Sequence, residues 1–238
     1  MRMIKWIGIN SRIGLGGLIA WLITILPGCV ALKNSDLDKY LVSSRNLNKQ
    51  KEVVWEKAAV VDFFNAGDIN KYKVVEGKFE ILKGKLWATE GDKNRAILLM
   101  PCQYDPIRVE FNATLFALDG KIGDITILLN ASPDKNFFNN GYTLTTGSYW
   151  NNCTTFYKKG RALARTEYSP LKSGKKNHVV LEFDHGHIRY WLNDVILLEA
   201  WDDTPLPLDP ALWVGIRTWA TRMRIDNIAV YHSREGTP

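Results

Sequence analysis

From residue 60 onward the chain alternates short apolar runs with tight polar breaks. The runs are rich in Val, Ile, Phe, Tyr and Trp, and Gly, Asn and Asp separate them, which is the pattern of strands joined by turns. No stretch there keeps an apolar i, i+3, i+4 spacing over the length of an amphipathic helix, so the predicted class is all-β, a sandwich or barrel. Individual hairpins can be placed. Residues 79–82 turn at Lys83-Gly84 into 85–89, and residues 107–118 turn at Asp119-Gly120 into 122–129. Asp-Gly between apolar runs is a strong hairpin signal, because both turn positions favour positive φ. Residues 179–183 turn at Asp184-His185-Gly186 into 187–192, Asn193-Asp194 then leads into 195–201, and 212–219 turns at Ala220-Thr221-Arg222 into 223–231. No internal repeat has a solenoid or propeller period.

The first thirty residues follow another pattern. Arg2, Lys5 and Arg12 precede an apolar run of fourteen residues, 13–26, whose one polar member is Thr24. A positive flank, a short apolar core and a small-residue exit make a secretory signal peptide. Fourteen residues fall short of the ~20 that span a bilayer as a helix. A retained N-terminal anchor is the alternative, since residues 6–9 extend the run past Asn10, Ser11 and Arg12. Leu26-Pro27-Gly28-Cys29 resembles the bacterial lipoprotein box, with Leu26, Gly28 and Cys29 matching and Pro27 departing from it. That resemblance implies a signal peptide over 1–28 and acylation of Cys29, with several acyl chains anchoring the chain stably to a membrane. It also implies a place in the bacterial cell envelope, facing the periplasm or the cell surface. Residues 29–54 are polar and lysine-rich, a tether between lipid and folded body, and the sandwich is expected over 55–234.

Charge and cysteines narrow the partners. The net charge of +6 loses three positive residues with the signal segment, leaving 28 basic against 25 acidic. The remaining bases are interleaved with acids rather than gathered in a stripe, so no nucleic-acid partner is expected. Lipidation of Cys29 would leave Cys102 and Cys153, which either pair as a disulfide in an oxidising compartment or sit as buried thiols. Neither has metal-type cysteine spacing.

Several short pieces point to a family. They are 77–86, Arg189-Tyr190-Trp191-Leu192-Asn193-Asp194, Val214-Gly215-Ile216-Arg217, and Ile225-Asp226-Asn227-Ile228-Ala229-Val230-Tyr231. Together they resemble the concanavalin A-like lectin/glucanase superfamily, including laminin-G-like domains and the 3-keto-disaccharide hydrolase-like group of exported bacterial proteins. The resemblance implies a two-sheet antiparallel jelly-roll sandwich over about 60–232 and a carbohydrate or glycan as partner. It says less about chemistry, because sites are grafted on folds.

The candidate site gathers in two places. Residues 139–155 hold Tyr142, then Gly147, Tyr149, Trp150, Asn151 and Asn152. Aromatic rings stack on the apolar faces of pyranoses while amides hydrogen-bond their hydroxyls. Arg217 and Trp219 alternate on a strand, so both face one side while Ile216 and Thr218 face the other. The competing reading has the aromatics plugging the sandwich and Arg217 on a solvated rim. The expected function is a non-catalytic, lipid-anchored carbohydrate-binding domain. A glycan-processing enzyme of the 3-keto-glycoside hydrolase or glucanase kind is the second reading, and a structural envelope protein the third. Glycoside hydrolysis requires two placed carboxyl groups. The glucanases' Glu-x-Asp-x-x-Glu motif is missing, and Glu110 and Glu182 are the best strand-borne carboxylates. No cofactor is expected. His185 and His187 belong to a turn rather than a metal site. Calcium would need converging oxygens, and no calcium-loop spacing links Asp119, Asp124 and Asp134.

Overall fold

Successive side chains along each strand enter opposite layers, so the position of a residue in its strand decides which layer it joins. In the computed structural model the described residues are 53–62, 64, 69–89, 91, 95–132 and 140–233, all in the second of the chain's two units, Gln50–Pro238. The signal segment and Cys29 lie outside them. The strands, in chain order, are β1 (Trp55–Asp62), β2 (Lys73–Glu76), β3 (Lys78–Leu82), β4 (Lys85–Thr89), β5 (Arg95–Met100), β6 (Ile107–Ala117), β7 (Asp124–Ala131) and β8 (Tyr142–Gly147). They continue with β9 (Cys153–Lys158), β10 (Arg161–Thr166), β11 (Lys176–Asp184), β12 (His187–Leu192), β13 (Val195–Trp201), β14 (Trp213–Trp219) and β15 (Thr221–Ser233).

Two antiparallel sheets form. The first runs β13-β12-β11-β6-β15-β4-β3, with β1 also on β15, and the second runs β10-β9-β8-β7-β14-β5-β2. Val109, Phe111, Leu181 and Ile225 from the first sheet meet Leu98, Ile127, Leu144, Phe156 and Ile216 from the second in one buried cluster. Burial of such side chains is worth roughly 1.5–3 kcal/mol each, so the shared core holds the layers together.

Three of the expected hairpins form as read: β3–β4, β11–β12 and β12–β13, the last through Asn193 and Asp194 with φ of 53° and 65°. The other two turns form, but they join different sheets. Asp119 and Gly120 take φ of 48° and 75°, yet β6 pairs with β11 and β15 while β7 pairs with β8 and β14. Likewise β14 lies in the second sheet and β15 in the first. Turn chemistry fixes only the residues next to it. A strand's sheet partner is chosen by its whole length, which is why a local signal cannot tell a hairpin from a crossing between layers.

Tyr142 is a correction. It is 0% exposed, its hydroxyl donates to Asp202 Oδ2 at 2.7 Å and accepts from the Leu206 N–H at 2.7 Å, and its ring packs on Phe156 and Phe183. β8 enters the sheet with Tyr142, Leu144 and Thr146 inward and Thr143 and Thr145 outward, so this Tyr is core, not sugar contact. The disulfide alternative also gives way: Cys102 and Cys153 are buried free thiols. Cys153 opens β9 and Cys102 follows β5, with β8, β7 and β14 between those strands. Four strand spacings are about 19 Å, far beyond the ~7 Å Cα limit for a bridge. Burial pushes the Cys102 thiol up to about 12. Replacing Tyr142 by Phe strips Asp202 and the Leu206 N–H of a buried partner and is expected to cost about 1–3 kcal/mol in urea-unfolding measurements.

Candidate functional site

The outward face of the second sheet carries the site. Register places Arg217 opposite Thr126 and Trp219 opposite Asp124 across β14 and β7, then Thr126 opposite Thr145 across β7 and β8. Thr145 in turn faces Thr155, and Thr143 faces Tyr157, across β8 and β9. With a side-chain period of two, all of these point away from the core. The expected alternation of Arg217 and Trp219 holds: Ile216 and Thr218, which alternate with them along the strand, are buried.

The turn between β8 and β9 brings the second aromatic set over this face. Ser148–Asn151 is a left-handed turn rather than a right-handed helix: Tyr149, Trp150 and Asn151 have φ of 53°, 60° and 67°. Left-handed backbone costs an L-residue roughly 1–2 kcal/mol, so the turn needs outside support. Asn151 donates to the Leu171 carbonyl at 2.8 Å and accepts from the Ser169 hydroxyl. Asn152 Nδ2 donates to the Tyr149 carbonyl at 2.6 Å. The two amides read as sugar contacts are thus struts of the turn, because backbone in this conformation presents carbonyls that local Asn side chains reach. Two glycines allow the close packing underneath. A Cβ on Gly123 would lie 1.6 Å from the Trp219 carbonyl oxygen, and one on Gly147, where φ is 95°, would lie 2.6 Å from the Gly123 carbonyl oxygen.

The turn sets Trp150 against Trp219, ring centroids 4.9 Å apart and tilted by 47°. Tyr149, Trp150, Arg217 and Trp219 line one cavity of about 280 Å³, with Asp124, Thr145, Ser148 and Tyr157 completing it. Tyr149 and Trp150 stay 63% and 50% exposed. Four of the seven proposed binding residues therefore converge, Asn151 and Asn152 support them, and Tyr142 is elsewhere. Asp124, Thr145, Ser148 and Tyr157 were not foreseen. The Thr-rich outward phase of β7 and β8 was the signal available for them.

Asp124 is the carboxylate of this cavity. It opens β7, within the stretch the sequence marks as a strand. Burial raises its carboxyl to about 6, against the lowering influence of the Arg217 charge, the Thr126 hydroxyl and the Trp219 N–H. Arg217 Nη1 stands 3.7 Å from Asp124 Oδ2, and Thr126 donates to Asp124 Oδ1 at 3.2 Å. Cations also flank the rings: Lys121 Nζ is 4.7 Å from the Trp150 centroid and Arg165 Cζ is 5.1 Å from that of Tyr149.

Solved structures with the same architecture clarify what this sandwich is. It superposes on the carbohydrate-binding module CBM66 from Bacillus subtilis with a TM-score of 0.55 at 16% identity, covering 67% of this chain and 94% of that one. A protein of unknown function with a galectin-like fold from Bacillus subtilis gives 0.60 at 14% identity, covering 75% and 98%. The catalytic domain of an endo-1,3-beta-glucanase (laminarinase) from Thermotoga petrophila RKU-1 gives 0.56 at 12% identity, covering 77% and 100%. The fold is the concanavalin A-like jelly roll. No family model and no curated protein matches the sequence.

The opposite outer face of the jelly roll holds Glu110 and Glu182. Arg108 bridges them, donating to Glu182 Oε1 at 2.7 Å and Glu110 Oε2 at 2.8 Å. Arg189 Nη2 lies 2.7 Å from Glu182 Oε2, and His178 Nε2 lies 3.1 Å from Glu110 Oε1. Burial alone would raise the Glu110 carboxyl, but the bonds from Arg108 and His178 overcome it and hold it below the usual range. A general acid needs the reverse. His187 stacks on Trp201 at 4.1 Å and contacts Glu199, while His185 stands exposed in its turn beside Asp184. Among the described residues no three His, Cys, Asp or Glu gather as metal ligands.

Because the Asp124 value is raised above its ordinary 3.8, its contribution to stability is full below that value and is lost as pH rises through 6. Carboxyl-carbon NMR should find Asp124 titrating near pH 6. Arg217→Met, which removes the nearest positive charge, should move that midpoint higher still.

Proposed function

We propose that this jelly roll is a carbohydrate-binding domain that holds a sugar ring against Trp150 and Trp219, above a polar floor of Arg217, Asp124 and Thr145. One observation carries the reading: a strained turn delivers a half-exposed indole to a second indole over a cavity of about 280 Å³. That size falls just below the ~300–1,000 Å³ typical of ligand pockets and suits a terminal sugar. A solvent-facing aromatic pair with charged and hydroxyl groups at its foot meets both halves of sugar recognition, since the ring face of a pyranose is apolar and its rim is polar. The carbohydrate-binding module and the laminarinase domain among the structural neighbours support the same class.

Binding is favoured over hydrolysis by the carboxylate count. The cavity is lined by Asp124 alone among acidic residues, and acid–base glycoside cleavage uses two. Glu110 and Glu182 are tied up on the other sheet. We further propose that Cys29 carries the lipid that tethers the domain to a bacterial envelope membrane, the polar 29–54 segment acting as spacer.

Trp150→Ala and Trp219→Ala should each weaken retention on a glycan array by tenfold or more, on the order of 1.4 kcal/mol, with melting temperatures close to that of the parent. Glycan retention that survives both substitutions would remove this cavity from consideration. Separately, Cys29→Ser should shift the protein from the membrane pellet to the soluble fraction and abolish incorporation of labelled palmitate.

A further inference from the structure

We infer that the Trp150–Trp219 cavity is an end-on site: it takes the last residue of a glycan, at a chain end or the tip of a branch, and shuts out residues inside a chain. The inference rests on the carbohydrate-binding reading above and narrows it to a class of ligand.

The outward side of the second sheet changes character just beyond the cavity. Along β14 the outward positions after Trp219 and Arg217 are Gly215 and Trp213. Register sets Ile97 of β5 opposite Arg217, and sets Leu99 of β5 and Leu128 of β7 on either side of Gly215. Ile97, Leu99 and Leu128 join Ala131 in an apolar cluster separate from the main core, with Val75 and Trp213 packed on it. All three face away from the core, yet each is 0% exposed. A glycine in the outward row would by itself leave a trough along β14 for the next sugar of a chain. That trough is filled: a Cβ on Gly215 would lie 2.8 Å from Leu99 Cδ2 and 2.9 Å from Leu128 Cδ1, so the two leucines close over the strand from both sides. Farther along β5, opposite Trp219, Arg95 is held to Glu76 at 2.6 Å.

An internal residue of a linear glycan is linked on both sides, so its neighbours must leave a site in two roughly opposite directions. Here the turn carrying Tyr149 and Trp150 walls one end of the cavity, and the apolar cluster shuts the β5 side. The flank left between them is that of β9 and β10, where Tyr157 is part-exposed and Arg165 stands exposed over the Tyr149 ring. One exit serves a terminal residue and not an internal one. Prying the cluster apart would return three fully buried aliphatic side chains to water for the contacts of one more ring, an unfavourable exchange. The volume of about 280 Å³ agrees, since it leaves no room for a second ring beside the first.

The test is titration calorimetry of the full-length protein with laminarin, β-mannan, galactan, levan and dextran, each before and after brief digestion by an endo-acting hydrolase, at equal mass of sugar. For every polysaccharide that binds, the number of sites per gram should rise in proportion to the chain ends created. The disaccharide and the hexasaccharide of that polymer should bind within about threefold of each other. Trp150→Ala should abolish binding of cut and uncut glycan alike. Sites per gram that stay level or fall on digestion overturn the inference, as does a hexasaccharide preferred over the disaccharide by about tenfold or more; with either result dependent on Trp150, the carbohydrate-binding reading stands. End-dependent binding that survives both Trp150→Ala and Trp219→Ala lies elsewhere on the protein and overturns both. Binding of none of these polymers and of nothing on the glycan array also overturns both.

Discussion

The placement of Trp150 depends on backbone that L-amino acids avoid. Three consecutive residues, Tyr149, Trp150 and Asn151, take left-handed dihedrals, at a combined cost of a few kcal/mol. Such a turn persists only where its surroundings over-determine it. Here β8 and β9 fix both ends through a five-pair antiparallel register from Tyr142 to Thr146, and Ser148 and Cys153 bridge across the base. The Asn152 N–H donates to the Ser148 carbonyl at 3.0 Å across the turn, and the Asn151 and Asn152 side chains tie it to the Leu171 and Tyr149 carbonyls. Gly123 and Gly147 leave room for β7, β8 and β14 to approach beneath it. A relaxed turn would carry the indole away from Trp219, and the cavity would have a floor without a wall.

The two outer faces of the sandwich differ in how their polar side chains are arranged. On the first sheet Arg108 joins Glu110 and Glu182, Arg189 meets Glu182, and His178 stands between Glu110 and Asp194. The Arg224 guanidinium lies beside the stacked Trp87–Phe116 pair, 5.8 and 5.7 Å from ring centroids that are themselves 5.3 Å apart. The charges of the Arg108 cluster are met by one another. On the outward side of β7, β8 and β14 the second sheet carries Thr126, Thr143 and Thr145, with the buried Asp124 carboxylate 3.7 Å from the Arg217 guanidinium and the exposed rings of Tyr149 and Trp150 above them. That combination of hydroxyls, one ion pair and open aromatic surface is what the proposed sugar-binding reading uses.

Much of this could be read from residues, and what could not has a common cause. Period-two alternation marked the strands and put Arg217 and Trp219 on one side, since that property belongs to a strand in isolation. The Asn193-Asp194 hairpin was legible for the same reason. The Asp119-Gly120 turn was also legible, but its crossing between sheets was not, because sheet membership is decided by partners far along the chain. Tyr142 failed by phase: it and Thr143 are adjacent, and only the position of β8 in the sheet says which faces inward. Asn151 and Asn152 failed by competition. Their amides looked free for sugar hydroxyls, but a left-handed turn generates nearer demands that sequence spacing does not reveal. Asp124 escaped notice as a site residue because its character comes from burial beside Arg217, a contact 93 positions away.

A cavity of this size also bears on how such a domain could act. It is lined by eight residues on one side of a sheet, so a sugar held there would meet it with one ring or little more, and the contacts of one ring rarely give more than modest affinity once the costs of association are met. A tether changes that arithmetic. Many copies held on one membrane by the proposed lipid would face a polymeric glycan together, and each engaged site would raise the effective concentration for the next. The lysine-rich spacer over 29–54 would then set the reach of each copy. With the proposed tether, a shallow aromatic cavity would be matched to a polymer at a surface, where density would supply what a single site lacks.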